Sequence, residues 1–143
     1  MVIVAAVDRS ERAPDVLDQA ATLADQFGES LHVVHVMTRS EAVDAETTGI
    51  SKDEGVEISE LRAVAAGVVT DLLEEHPVAV KTTETGRIGD PADEIIEYAD
   101  DRDARYIVVG PRRRSQTGKM LFGSVAQSIL LNTNRPVVSV LGE

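Results

Sequence analysis

The chain has 143 residues, 43% of them hydrophobic, which is enough for one domain with its own core and too few to argue for two. Its formal net charge is -11, carried by 25 acidic residues against 3 lysines and 11 arginines; this is the composition expected of a protein in a salt-rich cytoplasm, where a dense carboxylate surface stays hydrated. Cysteine is absent, which excludes a disulfide, a thiolate nucleophile and a Cys-type zinc site.

The opening VIVAAV (2–7) is a continuous apolar run, as expected of a strand buried on both faces of a parallel sheet, and is too short for a secretory leader or a membrane span. Asp8 follows it directly. From Glu11 to Phe27 the apolar residues keep helical spacing, with Pro14 tolerated in the first turn and Gly28 suited to the C-cap. LHVVHVM (31–37) predicts a second strand, and residues 38–55 carry no sustained periodicity, which predicts a long acidic loop. Val56 to His76 predicts an amphipathic helix stopped by Pro77.

VAVKTTET (78–85) alternates as a strand does, and GRIGD reads as a turn ahead of a helix capped by Asp90, with Pro91 at its first position, running to about Asp101. RYIVVG (105–110) predicts the fourth strand, SVAQSILLN (124–132) a last helix, and VVSVL (137–141) a fifth strand. Strands that alternate with helices predict an α/β fold, a three-layer sandwich around a five-stranded parallel sheet of order 3-2-1-4-5 in one domain, 1–143. In that order the winding reverses between strands 1 and 4, where ligands of open α/β sheets bind; Asp8 and Gly110 stand at those strand ends.

Charge is distributed unevenly along the chain. Residues 1–103 hold 8 basic and 24 acidic side chains, a net -16, whereas 104–142 hold Arg105, Arg112, Arg113, Arg114, Lys119 and Arg135 with no acid, a net +6. The basic stretch GPRRRSQTGKMLFGSV (110–125) is therefore expected to hold phosphate at the switch point. It is not a Walker loop: Gly110 and the Gly118-Lys119 pair are too far apart, and Met120 stands where a hydroxyl is required. No G-x-G-x-x-G follows strand 1 either. What remains is Gly110 at a strand end, a basic loop, and Gly123-Ser124 at a helix start, whose free N–H groups and positive dipole end suit a phosphate.

These residues resemble the universal stress protein family, whose nucleotide-binding members share G-x-x-G, nine residues, then G-[ST]; Gly110, Arg114–Phe122 and Gly123-Ser124 keep that frame. VDRSE after strand 1, HVM at the end of strand 2 and GDPADEI before the third helix extend the resemblance over the chain. It implies an adenine nucleotide alpha hydrolase-like, Rossmann-like fold and an ATP site, with Mg²⁺ as a companion ion. Asp8 would lie near the ribose, Val36 would offer its backbone to adenine, and Gly110, Gly123, Ser124 and Val125 would approach ribose and phosphates. One position departs from the pattern: Arg113 stands at the second glycine, where its bulk opposes close approach and its charge, like that of Arg112 and Arg114, offers bonds to phosphate.

The remaining polar residues invite simpler readings. His32 and His35 are three apart on a strand and face opposite sides, so they cannot share a metal and read as core or edge residues. His76 reads as a helix-end residue, and Glu94 with Glu97 as a solvated helix face. No nucleophile, base and orienting group assemble, so no efficient catalytic site is visible, while slow ATP hydrolysis by bound Mg²⁺ and water stays open. The apolar terminal strand, through Val137, Val138, Val140 and Leu141, predicts a homodimer.

The function expected is that of a cytoplasmic, ATP-binding stress-response protein, a nucleotide-dependent sensor or regulator that acts on a downstream protein. The competing reading is a nucleotide-independent module that docks an acidic partner on Arg112–Arg114. Nucleic-acid binding ranks last, given the net charge and only 2 Phe and 2 Tyr.

Overall fold

The computed structural model describes residues 1–46, 57–110, 113–114, 120–121 and 123–141. Strands β1 (Val2–Ala6), β2 (Ser30–Met37), β3 (Thr82–Ile88), β4 (Ala104–Val109) and β7 (Val137–Ser139) form one sheet in the order β3-β2-β1-β4-β7. All its pairings are parallel, which is the expected 3-2-1-4-5 arrangement. Helices α1 (Ala13–Phe27) and α3 (Ile58–Glu75) cover one face, and α4 (Pro91–Asp101) and α5 (Ser124–Asn132) the other. Between β4 and α5, β5 (Arg113–Arg114) and β6 (Met120–Leu121) form a small antiparallel ribbon, which the sequence did not signal.

The apolar runs are continuous because each central strand feeds two cores at once. In β1, Ile3 and Ala5 join the cluster under α1 while Val4 joins the cluster under α4 and α5; in β2, Leu31 and Val33 oppose Val34 and Val36 in the same way. The helix ends follow the punctuation of the sequence. Gly28 closes α1 at φ 65°, and the N–H of Glu29 reaches back to the Ala24 carbonyl at 2.9 Å. Asp90 caps α4 by accepting from the Asp93 N–H at 3.1 Å, with Pro91 at the first helical position.

Three expectations need correction. The stretch 38–55 is not loop throughout, because α2 (Arg39–Glu46) opens it; residues 47–56 lie outside the described residues. Thr38 and Glu41 make a capping box, in which the Thr38 hydroxyl accepts from the Glu41 N–H at 3.2 Å and the Glu41 carboxylate accepts from the Thr38 N–H at 3.4 Å. Second, the third strand is not 78–85 but Thr82–Ile88: Val78 and Val80 pack on the α1 face of the core without pairing, and Gly86, read as part of a turn, lies inside the strand. Third, two of the six cations in the acid-free segment are taken up by acids elsewhere in the fold. Arg105 forks onto Glu29, with Nη2 at 2.7 Å from Oε1 and Nε at 3.0 Å from Oε2, and the pairing lowers the Glu29 pKa. Arg135 bonds Asp100 at 2.8 Å, Asp103 at 3.2 Å and the Ala104 carbonyl at 2.7 Å.

Tyr98 fastens α4 to the sheet. Its buried hydroxyl lies 2.5 Å from His32 Nδ1 and 3.0 Å from the Thr85 hydroxyl, and the guanidiniums of Arg87 and Arg102 stand over its ring at 5.1 and 4.6 Å. His32 is thus a part-buried structural residue, as read from the sequence. Burial first, and the Arg102 charge second, hold its pKa below the ordinary 6.5. The unfolded chain therefore takes the proton first as pH falls, so His32 contributes stability above pH 6.5 that is lost from there down to its depressed pKa. Tyr98→Phe strands both Thr85 and His32 and is expected to cost about 1–3 kcal/mol, read as a lower urea midpoint at neutral pH.

Candidate functional site

Beyond the carboxyl ends of β1 and β4 the winding reverses, and there a cleft of about 490 Å³ opens, a size suited to a small organic ligand. Its walls come from separate places along the chain, among them the first turn of α1 with Arg12 and Ala13. The turn after β1 supplies Asp8, Arg9 and Ser10, the end of β2 supplies His35 and Val36, and α2 supplies Glu41. Pro91 and Ile95 of α4 form the apolar side; Gly110 and the start of α5, from Gly123 to Ala126, complete the opposite wall.

The turn is tied together by its own polar groups. Asp8 Oδ1 accepts from the Ser10 N–H at 2.8 Å, the Ser10 hydroxyl accepts from the Arg12 N–H at 3.3 Å, and the Ser10 carbonyl accepts from the Ala13 N–H at 3.2 Å. Asp8 is thereby set at the mouth, and Arg12 becomes the residue that leads into α1. The His35 ring stands 2.7 Å from the Val7 carbonyl through Nδ1. A carbonyl only accepts, so Nδ1 carries the proton, and in the neutral ring Nε2 keeps its lone pair.

The start of α5 is open. Gly123 is its N-cap and offers no side-chain bond, the first turn contains no acid, and its first N–H groups have no partner within the helix. Those donors and the helix dipole make this wall electropositive. Gly110 has a different need for glycine: a Cβ there would stand 2.8 Å from Val16 Cγ2, so the missing side chain lets α1 close onto the end of β4.

Six of the residues singled out from the sequence, Asp8, Val36, Gly110, Gly123, Ser124 and Val125, thus line one cleft although they come from distant parts of the chain. Arg113 and Arg114 lie on β5, with their backbones paired to Leu121 and Met120; Arg112 and Lys119 lie outside the described residues. Arg9, Arg12, His35 and Glu41 also line the cleft, although the sequence did not mark them as site members. Arg9 and Arg12 stand about a hundred residues before the arginine run and carry no motif of their own, and the spacing of His35 marks only a core or edge residue. Glu41 lay in the supposed loop, where T-x-x-E at 38–41 was the available signal. Among the described residues no cluster of three or more His, Asp or Glu could hold a metal, and no helix is long and apolar enough to cross a membrane.

Val137, Val138 and Val140 are half-buried along the sheet edge formed by β7, and Leu141 beyond it is 51% exposed. Leu131 on α5 is 75% exposed. Val138 and Val140 pack on the α1 side of the core and Val137 on the α5 side, so the strand faces inward more than its sequence suggests.

A family model described as the universal stress protein family matches residues 1–140. A universal stress protein of Mycolicibacterium smegmatis is 31% identical over 120 residues, covering 82% of this chain and 91% of that protein. Among solved structures, a universal stress protein from Archaeoglobus fulgidus superposes with a TM-score of 0.62 at 33% identity, covering 98% of both chains. Another structure of the universal stress protein from that organism, in complex with dAMP, superposes with a TM-score of 0.59 at 30% identity over 98% of this chain and 97% of that one.

Proposed function

The chain belongs to the universal stress protein family, and from that membership we propose that it binds an adenine nucleotide, ATP with Mg²⁺, in the switch-point cleft and serves in the cytoplasm as a nucleotide-dependent regulator of the stress response. The observation that carries the reading is the convergence of Asp8, Val36, Gly110 and the uncapped start of α5 on one cleft. The dAMP complex of the A. fulgidus relative supports an adenine nucleotide as the ligand class.

Each wall has a task. Asp8, whose Oδ1 is held by the Ser10 N–H, accepts from ribose hydroxyls, and the backbone of Val36 meets the adenine edge. The N–H groups of Ser124 and Val125, with the Ser124 hydroxyl, take the phosphates. Arg112, Arg113 and Arg114 would add charge-assisted bonds to the phosphates. Mg²⁺ would be held chiefly by phosphate oxygens and water. Calorimetric titration with Mg-ATP tests this directly: saturable binding of one nucleotide per chain is expected, and no heat together with no nucleotide released on denaturing the purified protein would remove the proposal.

The same reading includes a homodimer through the β7 edge, supported by unpaired strand groups beside exposed Leu141. Because Val138 and Val140 face the core, a charge there would disturb folding as well as association. Leu141→Lys avoids that problem. It is expected to yield a monomer by light scattering with an unchanged circular dichroism spectrum, whereas a retained dimer would take β7 out of the interface.

A further inference from the structure

Several described arginines form no ion pair, and what singles out two of them is where they stand. Arg105 and Arg135 are both engaged by acids, and Arg87 and Arg102 stack on Tyr98. Arg9 and Arg12 differ: both line the switch-point cleft, and among the described residues neither has an ion-pair partner. Arg12 is half-buried, and guanidinium cannot shed its proton to relieve the cost of burial. Its place is fixed by the turn, through its N–H on the Ser10 hydroxyl and its carbonyl on the Val16 N–H at 3.1 Å. Its Cβ lies 3.9 Å from the point a Gly110 Cβ would occupy, so its stem starts beside the end of β4 in the cleft lining.

Resting on the adenine-nucleotide reading, we propose that Arg12, seconded by Arg9, forms a second anion contact on the α1 wall that makes the cleft select nucleotides by the length of their phosphate chain. The α5 start and Arg12 are then two separate grips in one cleft. A monophosphate fills the first, and only a di- or triphosphate reaches the second. The two carboxylates that share the cleft are partly committed elsewhere: Asp8 accepts from the Ser10 N–H, and Glu41 accepts from the Thr38 hydroxyl at 2.9 Å and from its N–H. Among the described residues neither carboxylate is ion-paired with Arg9 or Arg12, which leaves the guanidiniums free to meet the distal phosphates.

The test is calorimetric titration of AMP, ADP and ATP, at one ionic strength, into the native chain, Arg12→Gln, Arg12→Lys and Arg9→Gln. Affinity should rise from AMP to ATP in the native chain. Arg12→Gln should lower ATP affinity about tenfold or more while leaving AMP within about twofold. Arg12→Lys should recover part of the loss as a point charge without the guanidinium fork, and Arg9→Gln should have the smaller effect. Thermal melting checks that each variant is folded. Equal affinity for AMP and ATP in the native chain, or an Arg12→Gln that weakens both alike or neither, overturns the length-reading role and leaves the cleft intact. A native chain that binds none of the three overturns the nucleotide reading and this contact with it.

Discussion

Gly86→Ala is expected to lower the melting temperature by roughly 10 °C, corresponding to about 3 kcal/mol or more for a chain of this size. A Cβ at Gly86 would stand 2.1 Å from the Arg62 carbonyl oxygen and 2.3 Å from the Ala66 nitrogen, both backbone atoms of α3. Overpacking against a side chain can be relieved by a change of rotamer, but here a whole helix has to move. That helix buries Leu61, Ala65, Val68 and Val69, so shifting it opens the core it was meant to close. The contact also positions the third sheet strand, and through it Thr85 against Tyr98. Gly67, the residue after Ala66 on α3, has open space around its Cβ position; Gly67→Ala should be neutral or slightly stabilising. Equal melting of the two variants would show that α3 does not lie as close to β3 as the structure places it.

Gly123→Val is the second large effect, and it falls on binding rather than stability. Gly123 has φ -66° and ψ 164°, a conformation open to any residue, so its backbone does not demand glycine. What glycine supplies at this point of the cleft wall is room. A branched side chain at the N-cap of α5 would cover the N–H groups on which the phosphates are expected to rest, and nucleotide affinity should fall about a hundredfold or more, some 2.7 kcal/mol. The fold should lose on the order of 1 kcal/mol, because valine is a poorer N-cap than glycine although neither offers a side-chain bond, and thermal melting separates that loss from the loss of binding. Full retention of ATP affinity would place the phosphate elsewhere. It would also favour the alternative in which Arg112–Arg114 dock an acidic partner, because that contact does not need Gly123.

The sequence was most informative where one residue answers to one local cause. Strands buried on both faces announce themselves as uninterrupted apolar runs, so β1, β2 and β4 were placed within a residue or two. Gly28, Asp90 and Pro91 mark helix ends by backbone chemistry alone. The strand β3, TTETGRI, was displaced because it is polar and lies at a sheet edge, while the apolar Val78 and Val80 beside it lured the alternation onto themselves. Helix α2 was missed for a similar reason: Ala42 is its one fully buried described side chain, which leaves too little periodicity to detect.

The site divides in the same way. Topology alone brought Asp8 and Gly110 to the switch point, and the glycine frame added Gly123 and Ser124. Local charge counting misjudged the acid-free segment because the partners of Arg105 and Arg135 lie 76 and 35 residues away along the chain. Pairing at that range depends on the fold, as does the meeting of Arg12 with Gly110. The need for glycine at position 110 had a further reason out of reach of the sequence, the approach of Val16.

The proposed adenine nucleotide would lie across the ends of β1 and β4 with its phosphates on α5. Backbone amide resonances of the isotope-labelled protein, followed during titration with Mg-ATP, report on that placement residue by residue. Saturable shifts centred on Gly123, Ser124 and Val125 are expected, with accompanying changes at Asp8, Val36 and Gly110. Saturable shifts confined to the opposite end of the sheet, around Arg105 and Arg135, or no shifts at all, would contradict it.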